Sequence, residues 1–199
     1  EFSDGEFRVA GTDRSVPVQE VARAAYRVRA LPPGGGAGLF ETATFVPGTP
    51  TFPNGCHICE VEIDPDTGTT EILRYSVVDD VGTVLNPLLL KGQILGGIAQ
   101  GVGQALMEDC SYDPETGQMR AATFMDYAMP RADDLSMFEV KSNPVPTKTN
   151  PLGVKGCGEA GAIGSPAALI NAVTDAIGVA SLDMPAPPEK VWRAMQAAD

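Results

Sequence analysis

The sequence predicts an α+β protein with a mixed or antiparallel sheet, built from hairpins and packed by two main helices. Two alternating segments, 56–63 and 70–78, flank the turn residues 64–68, where Pro and Gly suit a tight reversal. Long apolar segments follow at 91–109 and 166–178, and the second starts with Ser-Pro, a preferred helix start. Strands and helices interspersed with hairpins are typical of the α+β class.

The remaining elements are shorter. The weak alternation of residues 2–10 predicts a strand, and residues 15–17 predict the start of a helix. A second turn of the Asp-Pro-x-Thr-Gly type predicts a hairpin of 109–113 with 118–127, and 137–142 fits a further strand. We divide the chain into a strand, helix and Gly/Pro-rich crossing segment (1–54), an α+β domain (55–182) and a tail with a short helix (183–199).

The composition excludes several classes of function. Lys and Arg number 14 against 26 Asp and Glu, a formal charge of −12, whereas nucleic acids and anionic membranes attract positive surfaces. A hydrophobic content of 43% excludes a wholly disordered chain. No uncharged apolar run reaches the roughly 18 residues that span a bilayer. The first residue is Glu1 rather than Met, so we expect a fragment, a processed subunit or a trimmed piece of a larger protein.

The cysteines do not predict a metal site or a disulfide. Cys56 and Cys59 form a C-x-x-C pair within an alternating strand, where residues three apart point to opposite faces. They can therefore neither bridge nor chelate together, and we interpret them as structural thiols. The absence of a disulfide framework predicts a reducing, cytoplasmic setting.

The predicted helix 91–109 combines glutamines with glycines. Gln93, Gly97, Gln100 and Gln104 share one stripe at spacings of 4, 3 and 4. The segment contains five glycines, each costing about 0.8–1 kcal/mol relative to Ala in a helix interior. Two explanations stay open: close packing against a sheet, or a large rigid ligand on the helix. Glutamine amides both donate and accept hydrogen bonds, as a pterin edge requires.

A lone carboxylate, Glu159, stands in the Gly-rich segment 153–166, which we expect to be a loop before a helix capped by Ser165. Burial there would favour its neutral form and raise its proton affinity, which suits a general base. The alternative is a solvated carboxylate, with Lys155 as a surface partner. The segment also matches G-x-G-x-x-G, but no strand precedes it and the helix is expected later, so a dinucleotide site is disfavoured.

Three further polar residues receive structural interpretations. Asp79 and Asp80 are expected to be strand-end and turn residues, since no other acidic residue completes a calcium loop. His57 is the only histidine and has no accompanying motif. We therefore predict no metal site on this chain and discount hydrolase and zinc chemistry.

Five stretches, in this order, resemble the molybdenum hydroxylases, the family of xanthine dehydrogenase, aldehyde oxidase and carbon monoxide dehydrogenase. The resemblance is to the C-terminal part of their molybdopterin-binding large subunit. The combination is specific, whereas each Gly-rich piece alone is not. The stretches are GCHICEVEIDPDTG (55–68), YSVVDDVGTVLNP (75–87), GQILGGIAQGVGQAL (92–106), FMDYAMPRADDL (124–135) and GVKGCGEAGAIGSPAALINAVTDAI (153–177).

The resemblance implies that a small carbonyl, purine or N-heterocyclic substrate is hydroxylated with water. Glu159 matches the family's catalytic glutamate, the base at the molybdenum centre. Gln93 matches a glutamine that hydrogen-bonds the pterin, Gly158 a backbone contact beside it, and Gln100 extends the same stripe. The implied cofactor is molybdenum-molybdopterin, in bacterial relatives usually the cytosine dinucleotide form. Iron–sulfur clusters and FAD would lie on partner chains.

The family's large subunit is much longer than this chain. The rest of the cofactor site and the substrate pocket would therefore lie in the remainder of the large subunit, and we expect the isolated chain to be inactive. A non-catalytic interaction domain with the same fold stays open as an alternative. A dinucleotide-binding oxidoreductase is a third possibility.

Overall fold

The structure, a computed structural model, describes residues 1–40, 42–135 and 138–198. It contains two compact units, residues 1–46 and 47–199, each held by its own contacts. The domain boundaries predicted above remain predictions. Within the described ranges, none of the helices has the length and apolar character needed to cross a membrane.

The first unit is a three-stranded antiparallel sheet followed by a helix. Its elements are β1 (Phe2–Ser3), β2 (Glu6–Arg8), β3 (Ser15–Pro17) and α1 (Val18–Ala25). The single strand predicted for 2–10 is wrong, because Asp4 and Gly5 adopt left-handed backbone angles (φ 50° and 79°) and turn the chain into a hairpin. The helix starts just after Pro17, whereas Ser15 belongs to β3, where it pairs with Arg8.

The second unit contains a mixed three-stranded sheet in the order β4-β5-β6. β4 (Asn54–Ile63) and β5 (Thr70–Asp80) form the predicted antiparallel hairpin, and β6 (Phe138–Ser142) joins β5 in parallel. Buried Tyr75 and Val77 project from β5 into the core. Together with the helices, this sheet confirms the α+β class.

Three helices complete the second unit: α2 (Pro87–Leu106), α3 (Ala160–Ile177) and α4 (Pro188–Ala198). α2 packs on α3, and α3 on β4. α2 begins at Pro87 rather than at residue 91, because the Asn86 side chain accepts a hydrogen bond from the Leu89 N–H over 3.1 Å. Asn before Pro is a favourable cap and first residue for a helix. The main core of α2, α3 and the sheet contains Ile72, Tyr75, Val77, Ile94, Ile98, Val102, Ala105 and Leu169.

The start of α3 corrects the prediction for the Gly-rich segment. The helix begins at Ala160, so Ser165 is not its N-cap and Pro166 lies inside it. Gly161 packs directly on α2, where a Cβ atom would lie 2.9 Å from the Ile98 nitrogen. Tertiary packing of the first turn thus outweighs the unfavourable helix propensity of Gly and Pro.

The hairpin predicted for 109–127 forms only its turn. The Asp113 carboxylate accepts hydrogen bonds from the Thr116 N–H and from Arg120, and these bonds hold the turn. Beyond it, pairing is limited to one bridge between Tyr112 and Met119. The flanking residues are mostly exposed, so they bury too little apolar surface to support a longer ladder.

Candidate functional site

The candidate site forms where α2 meets the segment that leads into α3. Gln93 lies in the second turn of α2, and its side-chain Nε2 donates to the Gly158 carbonyl over 2.7 Å. The two residues are 65 positions apart in the chain. Glu159 follows Gly158 directly and is the N-cap residue of α3. Folding therefore brings Gln93, Gly158 and Glu159 together.

Glu159 is anchored by its backbone, and its carboxylate is left free of the helix. The Glu159 carbonyl accepts the N–H groups of Ala162 and Ile163, each over 3.0 Å, and its side chain makes no capping bond. A negative charge at a helix N-terminus is favoured by the helix dipole. Glu159 is exposed, so the burial considered in the sequence analysis is not supplied by the described residues of this chain.

Lys155 does not pair with Glu159, contrary to the alternative considered above. Its Nζ binds the Asp80 carboxylate, and both side chains are largely buried. Asp80 also accepts the N–H groups of Gly82 (2.8 Å) and Val145 (2.9 Å). The hydrogen bond from Lys155, followed by those from Val145 and Gly82, lowers the pKa of Asp80 to about 2. The Asp80–Lys155 ion pair and the two backbone hydrogen bonds to Asp80 therefore connect the Gly-rich segment to the end of β5.

The lowered pKa of Asp80 predicts that the fold loses stability in acid. A carboxyl group whose pKa is lower in the folded than in the unfolded chain stabilises the fold above its unfolded pKa of about 3.9. That contribution falls between about pH 4 and pH 2. We expect Asp80→Asn to lower the melting temperature by several degrees at pH 7 and by progressively less towards pH 2. Thermal unfolding across this range is the measurement.

Exposed Asp133 provides the control for this prediction. We expect Asp133→Asn to change the melting temperature little at any pH, because the group is solvated. An Asp80→Asn effect that did not depend on pH would contradict the role given to the Asp80 charge.

Four of the five glycines of α2 fall into two groups, and the fifth, Gly103, is buried beside Glu108 and Pro130. Gly97 and Gly101 are buried against α3, whereas a Cβ atom on Gly92 or Gly96 would meet no atom within 4 Å. Close packing, one of the two explanations left open, therefore applies to the first group, with a helix rather than a sheet as the partner. It does not explain the second group, which lies bare on the side of α2 that carries exposed Gln93 and Gln100.

The glutamine stripe is only partly gathered at the site. Gln100 lies two turns beyond Gln93, about 10 Å along the helix axis, and is exposed. Gln104 is exposed one turn further along. The structure thus brings Gln93, and not Gln100, to Gly158.

A cleft of about 390 Å³ lies beside the Gln93–Gly158 bond. Its wall is mainly apolar and includes Leu89 and Leu90 of α2 together with Lys155 and Cys157. A mostly apolar concave surface with a few polar groups is the usual composition of a small-molecule site.

In the part of the chain that the structure describes, the cysteines and His57 are not gathered into a candidate metal site. Among the described residues, no cluster of three or more His, Cys, Asp and Glu side chains could hold a metal ion. All four cysteines are free; Cys56 is exposed, whereas burial raises the pKa of Cys59 to about 11. Cys56 and Cys59 thus stand as separate thiols in the structure, and that the pair neither bridges nor chelates stays a prediction.

Comparison with known proteins identifies the chain. The family model of the molybdopterin cofactor-binding domain matches residues 1–136. The chain is 39% identical over 198 residues to the nicotine 6-hydroxylase large subunit of Paenarthrobacter nicotinovorans, covering 97% of this chain and 24% of that protein. It is 34% identical to the carbon monoxide dehydrogenase large chain of Hydrogenophaga pseudoflava, covering 96% and 24%. The chain belongs to the molybdenum hydroxylase family.

Solved structures of molybdenum hydroxylases have the same fold. Quinoline 2-oxidoreductase from Pseudomonas putida 86 superposes with a TM-score of 0.89 at 39% identity, covering 98% of this chain and 25% of that one. The Cu,Mo-dependent carbon monoxide dehydrogenase superposes with a TM-score of 0.88 at 31% identity, covering 99% and 25%. This molybdenum hydroxylase chain thus spans about a quarter of the length of the relatives that it matches.

Two buried features of this molybdenum hydroxylase chain were not predicted from the sequence. They are the burial of Asp79 and the pairing of Asp80 with Lys155. Tyr75, Val77 and Asp79 follow each other at a period of two along β5 and are all buried. That alternation was readable and would have placed Asp79 in the core. The pairing of Asp80 with Lys155 had no such signal, because the two residues are 75 positions apart.

Proposed function

We propose that this chain is the part of a molybdenum hydroxylase large subunit that carries the catalytic base, Glu159, and one wall of the cofactor site. The enzyme would hydroxylate a small carbonyl, purine or N-heterocyclic substrate with oxygen from water. One observation carries the proposal: the Gln93–Gly158 hydrogen bond places the side chain expected to bind the pterin directly beside Glu159.

The residues around this bond fit a molybdopterin. The Gln93 side chain donates one N–H to the Gly158 carbonyl. This bond uses only the amide nitrogen, so Oε1 stays free to accept a hydrogen bond from a pterin N–H. Gly92 and Gly96 present bare backbone next to Gln93, where a flat ring system can approach the helix closely. Gln100 offers a second amide further along the same side.

Each group of this chain then has a defined task. When bound, the molybdenum cofactor would supply the two-electron oxidation chemistry. Gln93 and the Gly158 backbone would orient the pterin. Glu159 would accept a proton from the attacking water-derived oxygen, which requires an ionised carboxylate not consumed by helix capping. The Asp80–Lys155 ion pair would hold the Gly-rich segment in place.

The remaining parts of the enzyme would lie outside this chain. The chain spans 24% of the length of the nicotine 6-hydroxylase large subunit. We propose that the remainder of a large subunit completes the cofactor and substrate sites, and that iron–sulfur and FAD chains carry the electrons away. The cytosine dinucleotide form of the cofactor and a cytoplasmic location, which the free thiols support, complete the proposal.

The native mass and molybdenum content of the protein purified from its source test this proposal. We expect molybdenum and pterin to co-purify with this sequence in a complex that contains iron–sulfur and FAD chains. The isolated 199-residue chain is expected to hold no molybdenum and to show no turnover. A metal-free source protein, or full activity of the isolated chain, would contradict the proposal.

A further inference from the structure

A buried polar cluster lies under the first turn of α3. His57 of β4 hydrogen-bonds through Nδ1 to the Tyr75 hydroxyl over 2.7 Å. The His57 Nε2 lies 3.7 Å from Asp79 Oδ1. Tyr75 is fully buried, and the His57 and Asp79 side chains are only 7% and 4% exposed. The two nitrogens of the only histidine thus lie beside a tyrosine hydroxyl and an aspartate carboxylate.

The state of the ring follows from these surroundings. Burial raises the pKa of Tyr75, so its hydroxyl keeps its proton and can donate to His57 Nδ1. Burial also lowers the pKa of His57, against the opposing effects of Asp79 and the Ala160 backbone. A neutral ring that accepts at Nδ1 carries its hydrogen on Nε2. Nε2 is the ring nitrogen beside Asp79.

The His57 ring also packs against α3 itself. A Cβ atom on Gly164 would lie 2.6 Å from Cδ2 of the ring, so glycine is required for this contact. The same ring and Ala160, the first residue of α3, line one small cavity. His57 thus packs against the first turn of α3, which begins immediately after Glu159.

A small cavity of about 120 Å³ adjoins the cluster. Its wall includes His57, Asp79, Ala160 and Gly164. The Asp79 Oδ2 atom is buried without a hydrogen-bond partner among the described residues. The cavity is large enough to hold a water molecule that hydrogen-bonds to this oxygen. The contact between α3 and the cluster of His57, Tyr75 and Asp79 is therefore polar rather than purely apolar.

We propose that His57, oriented by Tyr75 and Asp79, is a positioning residue for Glu159. By fixing the first turn of α3, the ring sets the direction in which the Glu159 carboxylate points at the reacting atoms. This inference rests on the proposed role of Glu159 as the base. It predicts that polar changes at His57 act on the chemical step and not on cofactor or substrate binding.

The test uses the complete large subunit in its purified complex. His57→Phe keeps a ring against Gly164 and removes both nitrogens. We expect an unchanged molybdenum content, an unchanged KM and a kcat lowered about 10- to 100-fold, since small misplacements of a catalytic group have effects of this size. Exposed Tyr112 provides the control, Tyr112→Phe, which should leave kcat unchanged.

The His57→Phe substitution made in the Glu159→Gln variant separates a positioning role of His57 from simple destabilisation of the fold. If His57 acts through Glu159, adding His57→Phe to Glu159→Gln should not lower the residual rate further. Multiplying effects would overturn the inference, as would a normal kcat for His57→Phe when the kcat of Glu159→Gln is strongly lowered. Near-normal turnover by Glu159→Gln would instead refute the proposed function itself, and with it this inference.

Tyr75→Phe keeps the test decisive if His57→Phe fails to load molybdenum. It removes a single oxygen and leaves the buried ring in place. We expect its kcat to fall several-fold at constant KM. A loaded Tyr75→Phe complex with the kcat of the unmodified enzyme would overturn the inference.

Discussion

Glu159→Gln is expected to abolish turnover of the assembled enzyme while its molybdenum content stays unchanged. Gln has the shape of Glu and keeps the backbone bonds from Ala162 and Ile163, but it cannot accept a proton. General bases contribute about 10²- to 10⁴-fold, so we expect kcat to fall by about 10³-fold or more. Single-turnover reduction by substrate, with molybdenum measured in the same samples, is the measurement.

A matched carboxylate controls for the lost charge. Glu62 is exposed on β4, and Glu62→Gln should leave kcat unchanged. Near-normal turnover by a fully loaded Glu159→Gln complex would contradict the base assignment. It would favour the alternative of a domain that keeps the fold and only holds partners together.

Gly97→Ala is expected to destabilise the fold, because the added methyl group would meet the backbone of α3. A Cβ atom there would lie 2.8 Å from the Ala162 nitrogen and 2.9 Å from the Gly161 Cα, both backbone atoms of α3. Backbone cannot rotate away as a side chain can, so the two helices must separate. We expect a loss of about 2 kcal/mol in the free energy of unfolding after the gain in helix propensity.

Gly96→Ala is the matched control on the same helix. A Cβ atom at this position meets no atom within 4 Å, so only the propensity gain remains. We expect the free energy of unfolding of the 199-residue chain to rise by about 0.8–1 kcal/mol. Denaturant unfolding of both variants is the measurement. Equal effects of the two substitutions would contradict the packing assigned to Gly97.

The Gly96→Ala variant also tests whether the cofactor approaches α2 at this position. If Gly96 is bare because a pterin approaches the helix there, Gly96→Ala should lower the molybdopterin content of the assembled enzyme while it stabilises the isolated chain. The position would then exchange stability for function, as glycines beside ligands do.

Local sequence signals determined much of this protein. The β4–β5 hairpin follows from two alternating strands and a Pro/Gly turn, because both period and turn chemistry are read from adjacent residues. The opposite placement of Cys56 and Cys59 follows from strand geometry alone. The resemblance, carried by five motifs, supplied the family, which the comparisons confirm.

Tertiary structure decided where the site residues stand. The start of α3 at Ala160 depends on Gly161 lying against α2, although Ser165-Pro166 is the stronger local start signal. The Gln93–Gly158 bond and the Asp80–Lys155 pair join residues 65 and 75 positions apart. Propensity and periodicity act over one or two turns of chain, so contacts between distant segments are settled only when the core packs.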